Sequence, residues 1–294
     1  MENMTAKVSC FARAYHFKNG KKWIFKDEVA GEILGDDYQT IAKHMTQGIS
    51  FFAPEFQGTK EDALRLIVNQ QLAPSVLARS AFCKQKLDNE QRLGCEQYLI
   101  FAAGYDTFAF ASDVSNLTVF HLDLPEMIVD REERAKKAGL SYQTKAVDIP
   151  CDLSKEDWQS LLMENGFKES KKTFGSLLGI SYYLTKQDFY QLLVQISEML
   201  PEGSAICMDY PCKKGGMESA KNKELAKAAK EEMKAKYTYE EMEEMLERSG
   251  FLIYEHLDAK EMTKQFFKEY NKENKTDKMQ APEGVNYLLA VKNK

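Results

Sequence analysis

The sequence predicts an α/β fold: a doubly wound sheet of seven mostly parallel strands, one antiparallel strand in the edge region, and an N-terminal helical cover. Three observations predict it. From Tyr98 onward, short apolar runs alternate with helical patterns, the signature of strand–helix–strand units. The first run, Tyr98-Leu99-Ile100-Phe101, ends in Ala102-Ala103-Gly104, three minimal side chains that leave bare backbone at the carboxyl edge of a sheet. The second, Val119-Phe120-His121-Leu122, ends at Asp123. An acid about 20 residues past such a turn, at the tip of the next strand, is placed to accept from the paired hydroxyls of a ribose.

The elements follow in order. Residues 1 to about 90 carry few strand signals and read as helical. Val29–Leu34 continues into Tyr38–Met45, and Phe51-Phe52-Ala53-Pro54 forms an aromatic break. Lys60–Val76 carries Leu64, Ile67, Val68 and Leu72 on one face, with Pro74 near its end. Strands are expected at 98–102, 118–122, 142–147, 174–180, 203–209, 251–255 and 286–291. Pro125–Ala138, Lys186–Leu200 and Thr238–Ser249 read as helices, the last closed by Gly250. Lys213–Lys236, where Glu is interleaved with Lys, reads as a solvated helical insertion with Gly215-Gly216 as its hinge, and Lys260–Pro282 as a polar loop. No linker divides the chain, so 1–90 is expected to pack as a leader on a 91–294 domain, forming one structural unit.

Composition narrows the function. The 294 residues suffice for a sizeable core, and 44% hydrophobic with 29% charged residues is ordinary for a globular protein. A formal net charge of −5 offers no basic face, so no nucleic-acid partner is expected. The six cysteines form no CxxC pair and the four histidines no metal-ligand spacing, so no metal is expected. The absence of an 18-residue apolar run or a signal peptide predicts a cytoplasmic protein with reduced thiols and no membrane partner, a monomer or homodimer.

Several side chains carry candidate chemistry. Arg79 reads either as a solvated surface charge or as a guanidinium gripping a carboxylate through two parallel hydrogen bonds. Asp148-Ile149, after the third strand, reads either as a purine site, with the carboxylate on the exocyclic amine and Ile149 on the ring, or as a helix cap. Of the adjacent Tyr182 and Tyr183, at most one faces a crevice, where its ring suits a sulfonium or another cation.

In combination these pieces look like something known. Arg79, the A-A-G-Y-D-T at 102–107, F-H-L-D-L-P-E at 120–126, V-D-I at 147–149, G-I-S-Y-Y-L at 179–184 and A-I-C-M-D-Y at 205–210 occur in that order. The region from Arg79 to about Pro211 resembles the leucine carboxyl methyltransferase family of class I S-adenosylmethionine-dependent methyltransferases, including its bacterial small-molecule O-methyltransferases. S-C-F-A-R-A-Y-H at 9–16 is similar to the family's leader helix.

The resemblance implies a Rossmann-like fold and S-adenosyl-L-methionine as methyl donor. It assigns Arg79 to the methionine carboxylate and Asp123, with Leu124 beside it, to the ribose. Ala102, Ala103 and Gly104 would form the turn that approaches the donor, with Asp106 orienting it, and Asp148 and Ile149 would recognise adenine. The family's first turn glycine is Ala102 here, and the glutamate before its G-x-x-x-Y-L run is Leu178, which removes a carboxylate from the cofactor pocket. The implied acceptor is a small molecule. His16 and Tyr183 are the candidate general bases; a carboxylate acceptor would need none. A nicotinamide oxidoreductase would want G-x-G-x-x-G at the first turn, which 102–107 lacks. A methyltransferase-like binding or scaffold protein without turnover stays open on the changes at 102 and 178.

Overall fold

The computed structural model describes residues 4–154, 157–213 and 233–293, so most of the expected 213–236 insertion, including Gly215-Gly216, lies outside the described residues. The strands are β1 Gln97–Phe101, β2 Thr118–Asp123, β3 Ala146–Pro150, β4 Thr173–Leu177, β5 Ala205–Pro211, β6 Phe251–Leu257 and β7 Val285–Lys292. They form one sheet in the order β3-β2-β1-β4-β5-β7-β6. β7 runs antiparallel between β5 and β6, and the pairings from β3 to β5 are parallel. Every residue of β1, β4 and β5 is buried, which is why β1 reads as a continuous rather than an alternating apolar run.

The order reverses on either side of β1, so the crevice at the carboxyl ends of β1 and β4 is where a doubly wound sheet takes its ligand. The third strand starts later and ends later than expected. Asp123 pairs with Pro150, and β3 is the edge strand, where a residue without an N–H is tolerated.

The leader is helical: α1 Met4–Asn19, α2 Ala30–Leu34, α3 Asp37–Gln47, α4 Ile49–Phe52, α5 Lys60–Ile67 and α6 Ala73–Arg92. The expected single helix over 60–76 is broken by a wide turn at Val68–Leu72. Pro74 opens α6 instead of ending a helix, because the first turn leaves its N–H positions without intrahelical partners. Leu77, Ala78 and Phe82 bury one face of α6 against the sheet.

After β1 the chain makes only one turn, α7 Phe108–Ala111, before α8 Pro125–Lys137, α9 Trp158–Glu164 and α10 Lys186–Met199. Within the expected polar loop 260–282 the chain is helical at Ala259–Met262 and Lys268–Glu273, with Met262, Phe267 and Tyr270 buried. Those apolar residues are spaced too irregularly to announce a helix. All six cysteines are free and buried. Among the described residues, no helix is long and apolar enough to cross a membrane and no cluster could hold a metal ion.

Candidate active site

The site begins at the turn after β1. Gly104 has φ +54°, and its N–H donates to Asp123 Oδ2 at 2.6 Å. Asp123 Oδ1 accepts from Leu124 N–H at 2.7 Å. A carboxylate has about four acceptor sites, so these two bonds fix its plane and leave capacity for further donors. Burial pushes the Asp123 carboxyl up, against the pull of the two N–H groups. Asp106 Oδ1 accepts from Phe108 N–H at 2.9 Å and so ties the turn to α7.

A side chain on Gly104 would meet Ala6 of α1 at 3.4 Å, so the leader lies directly over the turn. Arg13 holds it there: its Nε donates to Asp27 Oδ2 at 2.8 Å and its Nη2 to the Tyr105 carbonyl at 2.6 Å. Thr107 Oγ1 donates to the same Asp27 oxygen at 2.8 Å. Nothing in the spacing of Arg13 and Asp27 advertised this clamp.

Ala102 has φ +49° and is the one non-glycine residue with positive φ among the described residues. A left-handed alanine costs about 1–2 kcal/mol, part of which glycine's extra chain entropy would cancel. Ala102→Gly is therefore expected to raise the thermal midpoint, corresponding to a stabilisation of up to about 1 kcal/mol. Scanning calorimetry checks it.

A cavity of about 1020 Å³ opens at these strand tips. Ala102, Ala103, Gly104, Asp106, Asp123 and Leu124 line it, as do Arg79, Leu178, Gly179 and Tyr183. Sequence reasoning thus placed these residues around one space. It misplaced the third strand's contribution. Asp148 and Ile149 do not line the cavity; Cys151, Asp152, Leu153 and Ser154 do.

The Asp148 carboxylate is engaged elsewhere: Oδ1 by His121 Nδ1 at 2.9 Å and by Arg131 Nη2, Oδ2 by the Tyr142 hydroxyl at 2.7 Å. Burial alone would raise its pKa, yet the His121 hydrogen bond and the Arg131 charge hold it below the usual carboxylate range. Ile149 is buried in the apolar cluster that contains Leu122 and Trp158. The pair expected to read adenine thus has partners within the fold and lies outside the cavity lining. Because β3 extends to Pro150, the acid–aliphatic pair beyond the strand tip is Asp152-Leu153. That second pair, just past a proline, was the available signal.

Arg79 reaches the cavity from α6, its Nη2 donating to Ser9 Oγ at 3.3 Å. Leu178 and Tyr183 line the wall formed by the exit of β4. His16 is not brought to the site. It is buried, its Nε2 accepts from Ile24 N–H at 2.9 Å, and its ring lies 5.3 Å from that of Tyr270. It is a buried histidine outside the cavity lining.

Burial lowers the His16 pKa from 6.5 to about 4. The unfolded chain therefore binds a proton that the folded chain refuses, so stability falls as pH drops from 6.5 toward 4. The full cost for this group is about 3 kcal/mol. His16→Gln should flatten that limb of a urea-midpoint profile; an unchanged slope would assign it elsewhere.

Comparison with known proteins gives consistent results. The family model for leucine carboxyl methyltransferase matches residues 6–197. The chain is 36% identical over 303 residues to YktD of Bacillus subtilis (strain 168), assigned as an S-adenosyl-L-methionine-dependent methyltransferase, with 99% of this chain and 98% of that protein covered. Among solved structures, a DUF574 family protein from Streptomyces avermitilis MA-4680 superposes with a TM-score of 0.60 at 13% identity, covering 98% of this chain and 96% of the other. A protein from Thermobifida fusca YX, described as a methyltransferase, gives 0.52 at 15% identity, with 98% and 94% covered. At such identities the two superpositions speak to the fold alone.

Proposed function

Because the chain belongs to the leucine carboxyl methyltransferase family and is an S-adenosyl-L-methionine-dependent methyltransferase, we propose that it methylates an oxygen of a small-molecule acceptor, a carboxylate, within the cavity. The observation that carries this reading is the space itself. About 1020 Å³ lies at the top of the range, roughly 300–1,000 Å³, that holds one drug-sized ligand. It is roofed by α1 and leaves room for a compact acceptor beside the donor.

The residues present fit the donor. Asp123, with acceptor capacity beyond Gly104 and Leu124, would take the ribose hydroxyls. Asp152 and Leu153 would take the adenine amine and ring, and Arg79 the methionine carboxylate by a charge-assisted pair. The bare backbone at Gly104 permits close approach. Bound there, S-adenosyl-L-methionine supplies an electrophilic methyl on a sulfonium leaving group. The protein's part is to align the acceptor oxygen behind that methyl and to exclude water.

The choice of a carboxylate rests on what lines the cavity. Among the described residues lining it there is no histidine. Burial raises the pKa of Tyr98 and Tyr105, two tyrosines that do line it. Neither accepts a proton readily near neutrality. Tyr183 also lines the space, as do Asp106, Asp123 and Asp152, which the turn and the donor would occupy; a carboxylate acceptor has no proton to lose and needs none of them as a base. Label from a tritiated methyl donor, offered with pools of carboxylic acids, phenols and amines, should enter only the acids and be released by alkali as methanol. Alkali-stable label on phenols or amines would exclude the carboxylate reading.

A further inference from the structure

Asp209, on β5, is wholly buried and does not line the cavity, yet it reaches the residue that does. Its Oδ1 accepts from Gly179 N–H at 2.7 Å and its Oδ2 from the Tyr182 hydroxyl at 3.0 Å. Arg79 Nη1 stands 3.7 Å from Oδ2. Gly179 has φ +72°, and a Cβ there would come within 2.9 Å of Arg79 Nη1, so the guanidinium rests against bare backbone. On its other side Arg79 Nη2 donates to Ser9 of the leader. One guanidinium is thus fixed by β5, by the exit of β4 and by α1.

A buried carboxylate survives only with donors or a counter-charge, and Asp209 has both. The hydrogen bond to Ser9 uses one of the five N–H groups of Arg79. At 3.7 Å the ion pair with Asp209 lies beyond hydrogen-bond length, so it orients the guanidinium without consuming its donors. Leu178, the neighbour of Gly179 in the cavity wall, brings no charge of its own.

We propose that Asp209 is a positioning residue for donor binding, a carboxylate beneath the cavity that sets the Arg79 guanidinium to receive the carboxylate of the donor's methionine end. The proposal rests on the reading that Arg79 holds that carboxylate. Asp209 touches neither donor nor acceptor; it acts through Arg79. It should therefore matter for ligands that carry the amino-acid part and be irrelevant to those that lack it.

Isothermal titration with S-adenosylhomocysteine and with 5′-methylthioadenosine, which keeps the adenosine and thioether but has no carboxylate, separates these cases. Asp209→Asn retains an acceptor for Gly179 and removes the charge. It is expected to weaken S-adenosylhomocysteine binding by about tenfold, the size of one charge-assisted contact, and to leave methylthioadenosine within about twofold. Arg79→Met should show the same selectivity. The double variant should bind S-adenosylhomocysteine no more weakly than Arg79→Met alone, because the two residues act as a unit.

Equal weakening of both ligands by Asp209→Asn would mean a merely structural role and would overturn the proposal, as would no weakening of either. If Asp209→Asn does not fold, the double variant decides: a further loss beyond Arg79→Met would show that Asp209 acts independently. Should Arg79→Met bind S-adenosylhomocysteine like the parent, the Arg79 reading itself fails. That outcome is distinct from a failure confined to Asp209.

Discussion

Replacing Asp123 by alanine is expected to weaken S-adenosylhomocysteine binding by at least about tenfold, and by up to about a hundredfold, since hydrogen bonds to a charged group are worth roughly 1.5–3 kcal/mol. Two losses combine. The ribose hydroxyls lose a carboxylate, and the turn loses the acceptor that holds Gly104 N–H at 2.6 Å and Leu124 N–H at 2.7 Å. Asp123→Asn keeps one carbonyl oxygen and should fall between parent and alanine. A calorimetric titration of the three proteins measures the series. An alanine variant that binds like the parent would remove the ribose assignment.

Asp148→Ala is expected to act on stability instead. Arg131 is almost wholly buried and finds its charge partner in Asp148, which also accepts from His121 and Tyr142. Removing the carboxylate strands a buried guanidinium, a loss of about 3–5 kcal/mol. Burial and the Arg131 charge push the His121 pKa down, and an imidazole carries no negative charge, so that ring cannot stand in for the carboxylate. Urea denaturation should show the midpoint falling sharply, while the folded fraction still binds S-adenosylhomocysteine. Asp152→Ala should do the reverse, with weaker binding and little change in the midpoint. A stable Asp148→Ala with impaired binding would restore the adenine role to the third strand's interior.

The contrast between these two aspartates shows where sequence reasoning stops. The first two strand tips were legible because their chemistry is local. Three small residues end β1, and an acid ends β2 at a spacing that geometry fixes. β3 was not legible to the same resolution. Asp148 and Asp152 both precede an aliphatic residue, and only the pairing of Asp123 with Pro150 says which lies beyond the sheet. Arg131 carried no signal, since the partner that buries it lies on another element.

The leader posed a similar problem. Its helical character was evident, but α6 was missed because Pro74 looked like an ending, when it marks the start of the 20-residue helix that carries Arg79. Arg13 and Asp209 stood within the runs 9–16 and 205–210, yet they and Asp27 were given no role, for a related reason. Each acts through a contact across the chain, as when Arg13 reaches the Tyr105 carbonyl. His16 was attractive as a base by residue type; its burial and its bond to Ile24 are tertiary facts.

The central claim is that the tips of β1, β2 and β3 together hold the donor, with adenosine between Asp123 and Asp152. The most direct test is a crystal structure with S-adenosylhomocysteine bound. The account predicts both ribose hydroxyls on the Asp123 carboxylate, adenine against Asp152 and Leu153, and the methionine carboxylate on Arg79. A ligand whose ribose lies away from Asp123, or whose adenine displaces His121 to reach Asp148, would contradict it.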